Sequence, residues 1–250
     1  MKKITLSLFA LFLFIQSYGQ GVEWSFLANS GLYRYSGNYT VSSTALVGVV
    51  PGTKDGYANN PYGHLYGFSY GAGFQAQYVS TGGFIIGLQG AYDVLRSKEN
   101  VTNAYRGDIV LYLAPGDYTG GYTGAPATGN AYSTSQDVNI NPYIGYRVKT
   151  RKLKIDLMPG VDMGYNVSTY ASFDAKDQAG NHYQANNYAG TVSPDIRLRF
   201  GAAAWYKKYA LTASYAHGLK NFSAHLLNDN PTPQYARSEL VRFGLAVRLN

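Results

Sequence analysis

Hydrophobic and polar positions alternate with a period of two along eight stretches of this chain, the period of strands whose two faces meet different surroundings. The last stretch is the clearest: Val241, Phe243, Leu245, Val247 and Leu249 share one face, and Arg242, Gly244, Ala246, Arg248 and Asn250 the other. Residues 138–148 set Val138, Ile140, Ile144, Tyr146 and Val148 against Asn139, Asn141, Tyr143, Gly145 and Arg147. Residues 153–163 set Leu153, Ile155, Leu157, Val161 and Met163 against Lys154, Asp156, Met158, Gly160 and Asp162. In residues 196–204, Ile196, Leu198 and Phe200 oppose Arg197, Arg199 and Gly201; in residues 68–78, Phe68, Tyr70, Phe74 and Tyr78 oppose Ser69, Gly71, Gly73, Gln75 and Gln77. Residues 22–33, 84–95 and 209–219 alternate less cleanly but in the same sense.

The connections alternate too. Residues 80–83, Thr150-Arg151 and Lys207-Lys208 are tight turns, whereas residues 34–65, 96–134, 167–190 and 220–236 read as long polar loops. Within the second of these, residues 103–131 are expected to contribute no strand. This rhythm predicts an all-β fold: an eight-stranded antiparallel up-and-down transmembrane β-barrel with long extracellular loops and short periplasmic turns. Stretches of roughly 9 to 14 residues suit strands that cross a bilayer at a tilt.

Met1-Lys2-Lys3, the apolar run from Ile4 to Ile15 and the small residues Ser17 and Gly19 form a secretory leader, expected to be cleaved before Gln20. An apolar run of about 12 residues falls short of the ~20 that a spanning helix needs. The expected organisation is therefore a signal peptide over residues 1–19 and one barrel over residues 20–250. The expected location is the outer membrane, with both termini periplasmic.

Alternation alone also admits a soluble barrel with its apolar face inward around a ligand. Composition favours the inverted arrangement. Only 14% of residues are charged, 29 are Gly, 25 Tyr and 11 Phe, and there is no Cys. Such a chain is not disordered, holds no disulfide or thiolate metal site, and has too many glycines for long helices. Several glycines (Gly71, Gly73, Gly145, Gly160, Gly201 and Gly244) fall on the polar face at strand centres, where a narrow lumen needs room. The ionisable residues Glu23, Asp93, Arg147, Lys154, Asp156, Asp162, Arg197, Arg199, Arg242 and Arg248 share that face and are expected to pair across the lumen. Aromatics near segment ends are expected to form two girdles at the bilayer interfaces. Trp24, Tyr78, Phe84, Tyr146, Trp205, Tyr206 and Tyr209 lie toward the turns, and Tyr33, Tyr92, Tyr165 and Tyr215 toward the loops. The formal charge of +7, reduced to +5 when Lys2 and Lys3 leave with the leader, is too small and scattered for nucleic acid.

The stretch Leu153-Lys-Ile-Asp-Leu-Met-Pro-Gly160 and the run from Gly201 to Phe222 resemble the outer-membrane β-barrel family common in Bacteroidetes, which includes the PorT-like proteins. The resemblance spans the mature chain in layout and about its last hundred residues in motif. It implies an eight-stranded outer-membrane barrel; for the PorT-like members it implies an accessory role in protein secretion and gliding. Arg242, Gly244, Val247 and Leu249 resemble the terminal signal read by the barrel assembly machinery, although Leu249 is not aromatic and Asn250 follows it.

Catalytic chemistry finds little support. His64, His182, His217 and His225 all map to the long-loop side, without the spacing of a metal site, a nucleophile elbow or a phosphate loop. No cofactor, metal or catalytic residue is expected. Asp156 and Asp162, roughly 20 Å apart at ~3.3 Å per residue, are too distant to act as a carboxylate pair. A non-catalytic structural or docking barrel is the expected function. Its loops 34–65 and 96–134 are expected to meet an envelope protein or glycan, and outer-membrane lipid and lipopolysaccharide its walls. A secretion accessory, a narrow solute channel and a rim-located enzyme stand as alternatives.

Overall fold

The computed structural model describes residues 21–106, 123–224 and 233–250. The leader and its cleavage site, His225 and part of the second and fourth long connections lie outside them. Eight strands follow the eight alternating stretches: β1 (Val22–Ser36), β4 (Leu65–Val79), β5 (Phe84–Arg106), β6 (Thr123–Lys149), β7 (Lys154–Asp177), β9 (Asp195–Tyr206), β10 (Tyr209–Gly218) and β11 (Arg237–Arg248). Each pairs antiparallel with its neighbours in this order, and β1 pairs with β11, so the sheet closes and leaves no edge. The short turns have the local chemistry such hairpins demand. Gly83 and Lys207 take positive φ, and Ser80 Oγ accepts the Phe84 N–H at 2.9 Å.

The register fixes the girth. Partners followed once around the ring run Glu23, Gln77, Gly87, Tyr143, Gly160, Arg199, Ala216, Leu240 and back to β1 at Tyr33, ten residues beyond the start. Eight strands with that stagger tilt about 40° from the barrel axis and enclose a lumen that side chains just fill. A twelve-residue strand such as β9 then rises about 30 Å, enough to cross a hydrocarbon core.

The two faces are inverted relative to a water-soluble protein. Phe68, Phe200, Leu211, Phe243 and Leu245 are each more than half exposed on the outside, while Gln75, Gln89, Asn139, Asp156, Asp162 and Arg197 are buried inside. An apolar belt this continuous is a surface made for lipid.

The long connections are not plain loops. β5 continues to Arg106, β6 begins at Thr123 and β7 continues to Asp177, so three walls rise beyond the belt. Residues 103–131, expected to be strand-free, hold the top of β5 and the start of β6. Register shifts at Tyr66/Tyr70 and Gln136/Asp137 fall where this extension leaves the barrel. Three short strands complete it: β2 (Ser43–Val47), β3 (Tyr57–Ala58) and β8 (His182–Gly190), in the order β3-β2-β5-β6-β7-β8. β2 lies parallel to β5. Leu46, Val49, Val101, Ala104, Ala127, Phe173 and Tyr183 make a second hydrophobic core inside this extension.

Because the belt faces hydrocarbon, Phe243→Arg near its middle should destabilise the inserted barrel by about 2–4 kcal/mol. Urea unfolding from lipid vesicles measures this, and the same change at exposed Tyr57 in the extension should have little effect.

Candidate functional site

The lumen is filled in layers. At the turn end, Arg147 forks onto Glu23 through Nη1–Oε1 and Nη2–Oε2, both 2.7 Å, and reaches Asp156 through Nε–Oδ1 at 2.6 Å and Nη2–Oδ2 at 2.7 Å. Gln77 Nε2 donates to Glu23 at 2.8 Å and to Asp156 at 3.3 Å, and the Tyr143 hydroxyl donates to Gln77 Oε1 at 3.0 Å. Arg248 approaches Glu23 at 2.9 Å. Towards the extension, Arg242 bridges Asp93 at 2.6 Å and Asp162 at 3.1 Å. Arg197 stands 3.1 Å from Asp162 and 3.4 Å from Asp195, and its Nη2 donates to Asn139 Oδ1 at 2.5 Å. Arg199 lies 4.0 Å from Asp162. Glycine is required beside these groups: a Cβ on Gly71 would fall inside the Asp93 carboxylate, and one on Gly87 inside the Tyr143 ring.

Three residues sit differently from their sequence assignments. Trp205 is no girdle residue: it is 1% exposed, its indole N–H donates to Asp156 Oδ2 at 2.9 Å, and Arg248 lies over its ring. Tyr33 is buried as well, packed on Tyr35 and Leu240. Both share parity with the lumen set of their own strand, and parity prevails over nearness to a strand end. Lys154 has the right parity but stands exposed at the rim and joins none of the lumen ion pairs. Trp24, Tyr78, Phe84, Tyr92, Tyr146, Tyr165, Tyr206, Tyr209 and Tyr215 are all exposed on the outer face. In β11, Arg242 and Gly244 point inward, while Leu249 beyond the strand is exposed.

Aromatic and apolar side chains cluster toward both ends of the lumen. Trp205, Leu27, Ala203, Ala210 and Ala246 pack at the turn end; Tyr33, Tyr35, Leu95 and Leu240 pack at the other, against Tyr62 and Phe222. A void of about 10 Å³ remains beside Asp93 and Arg242, about the space of one water.

The extension carries polar groups of its own. At its tip Arg106 reaches Asp177 at 3.2 Å, and the Tyr183 hydroxyl donates to the same carboxylate at 2.9 Å. Hydrogen bonds from Asn181 hold Asp177 down to about 2. Glu99, 4% exposed, faces a void of about 30 Å³ beside Asn60 and Phe173, and its Oε2 has no hydrogen-bond partner. Burial pushes Glu99 up to about 8, with Thr44 partly offsetting this. The histidines stay apart: His64 meets Thr40, His182 meets Asp174 at 3.0 Å, and His217 stands 3.7 Å from Glu239. Among the described residues no three His, Cys, Asp or Glu side chains converge on a metal position.

A closed ring of eight strands, ionised within and apolar without, defines an integral membrane β-barrel. No family model and no curated protein matches the chain. Among solved structures it is similar to Ail, the attachment invasion locus protein of Yersinia pestis, solved in complex with the heparin analogue sucrose octasulfate. That match has 12% identity over 92% of this chain and 100% of that one, with a TM-score of 0.32. Neisserial surface protein A gives 15% identity over 91% and 99% of the two chains, TM-score 0.33. The translocator domain of the autotransporter NalP from Neisseria meningitidis gives 9% over 98% and 96%, TM-score 0.32.

Two outcomes follow from this geometry. Asp156→Ala strips Arg147, Gln77 and Trp205 of a shared acceptor, and leaving buried charge unpaired should cost about 3–5 kcal/mol in urea unfolding. Glu99 is held neutral in the folded extension but ionises near 4.5 when released. Its contribution is therefore complete below about pH 4.5 and lost as pH rises towards about 8. Limited proteolysis of residues 43–60 should accelerate across that window, and Glu99→Gln should abolish the dependence.

Proposed function

We propose that this chain is a non-catalytic outer-membrane barrel whose working part is the folded extension, held outside the cell as a docking surface for an envelope protein or glycan. The observation that carries this reading is the contrast between the two ends of the molecule. The lumen holds a buried cluster of aromatic and apolar side chains toward each end and an ionic network between them. Beyond the belt, the walls continue into a sheet with its own hydrophobic core and an exposed polar face that includes Gln184, Asn186, Asn187 and Tyr188. A barrel that served transport would keep a water-wide path; one that serves as a pedestal needs a rigid base and a structured head. In this reading the outward aromatics stand at the two bilayer interfaces, and both termini, joined where Trp24 N–H donates to Asn250 Oδ1 at 2.8 Å, lie in the periplasm.

Protease shaving of intact cells tests the orientation, and should cut residues 43–60 and 178–194 while sparing the turns at residues 80–83 and 207–208. Planar bilayers should show no steady conductance of porin size. A variant with residues 43–60 and 100–130 replaced by Gly-Ser turns should still insert and show heat-modifiable migration, yet fail to complement a deletion strain. Porin-sized conductance, or full complementation by the trimmed barrel, would overturn the reading.

A further inference from the structure

We infer that the outer face of the β4–β5–β6 wall holds one phosphorylated glycolipid of the outer leaflet, its acyl chain in a notch in the apolar belt and its sugar-phosphate headgroup in a groove directly above. The inference rests on the proposed membrane orientation and extends it to a specific lipid class. Two adjoining hollows carry it. The lower one, about 370 Å³, is sunk into the lipid-facing surface where Ala72 and Gly90 interrupt a run of large residues, Phe26, Phe74, Tyr92 and Ile140. The upper one, about 670 Å³, is lined by Tyr70, Arg96, Tyr132, Gln136, Tyr170 and Asn186 among others. The register places them end to end: Gly90 pairs with Ile140, Tyr92 with Val138, Val94 with Gln136, and Arg96 with Thr134. One wall therefore presents an apolar trough that passes, at the Tyr92–Gln136 hydrogen bond of 2.9 Å, into a polar and aromatic one. That sequence of surfaces matches an amphiphile lying upright in the leaflet.

The upper groove has charge and hydrogen-bonding capacity to spare. Arg96 is oriented by its Nε, which donates to Thr134 Oγ1 at 3.2 Å, and by the Tyr132 ring beneath its guanidinium. Among the described residues Nη1 and Nη2 have no hydrogen-bond partner, and they form a planar fork suited to a phosphate. Lys98 follows two residues later on the same face of β5, and among the described residues neither cation has a carboxylate partner. The groove's carboxylate, Asp174, is engaged by His182 at 3.0 Å. Gln136 spends its carbonyl on Tyr92 and Ser168, which leaves its amide N–H groups to donate. Tyrosine rings and amide side chains beside a free guanidinium are the chemistry of a sugar that carries phosphate; an ethanolamine or choline headgroup would bring its own cation to Arg96 and Lys98.

The test uses the full barrel in zwitterionic detergent, titrated with diphosphoryl lipid A, phosphatidylglycerol or an alkyl maltoside, with bound lipid counted by native mass spectrometry. Lipid A should be retained in preference to the other two. Arg96→Gln should weaken its retention about tenfold, the loss of one charge-assisted hydrogen bond. Gly90→Leu fills the notch where an added Cβ meets nothing within 4 Å, so that variant should fold normally and also retain less lipid A. Arg151→Gln, at a turn on the opposite end, should bind like the wild type. Equal retention of all three amphiphiles, preference for the maltoside, or wild-type behaviour of both groove variants would overturn the inference. Insertion into vesicles is scored separately by heat-modifiable migration. A barrel that inserts without lipid preference refutes the lipid site alone, and one that does not insert refutes the membrane reading as well.

Discussion

Buried charge in a lumen that side chains almost fill is the constraint on which the rest of this molecule depends. Closing eight strands with a ten-residue stagger leaves an interior that only side chains can fill. Carboxylates and guanidinium groups placed there must find each other, because an isolated ion at that depth is costly. The inward faces show what this demands. Acceptors shared by several donors, such as Asp156 and Glu23, occupy fixed heights, and glycines stand where a charged or ring-bearing neighbour needs space. Amides such as Gln77 and Asn139 tie one pair to the next. The outer surface is the complement of this arrangement: with polarity used up inside, the walls can be almost wholly apolar where they meet lipid.

That distribution also explains why the extension can be elaborate. Here the base is locked by strand closure and ion pairing, and β5, β6 and β7 simply keep going. The extension borrows its strand registers from the barrel and needs only a modest core, built largely from alanines with Leu46, Phe173 and Tyr183. Glu99 is the exception to good pairing in that core, and it lies where the β2–β3 segment packs against the wall.

Much of this was legible in the sequence, for a physical reason. A period of two is all that is needed to assign strands and faces, so all eight barrel strands and most inward charges could be read from alternation. Position near a strand end misleads where parity does not: Trp205 and Tyr33 lie near strand ends, yet their spacing from Arg197 and Glu23 puts them inside. The partners of each charge were not legible, since they depend on the stagger between strands; Asp195 was overlooked because it sits at the boundary of its alternating stretch. The upper parts of β5, β6 and β7 escaped notice because small and polar residues (Gly129, Asn130, Ser133, Thr134) give no amphipathic contrast. β2 escaped because its pairing is with a strand more than fifty residues away.

The parallel pairing of β2 with β5 sets a timetable. The barrel strands pair in chain order, apart from the seam that joins β1 to β11. β2 precedes β4 and β5 in the chain, yet the edge it binds does not exist until both have been laid down. It can therefore dock only once β5 is in place, burying Leu46 and Val49 against Val101 and Ala104. Docking of β2 thus reports that the upper part of β5 is already in place.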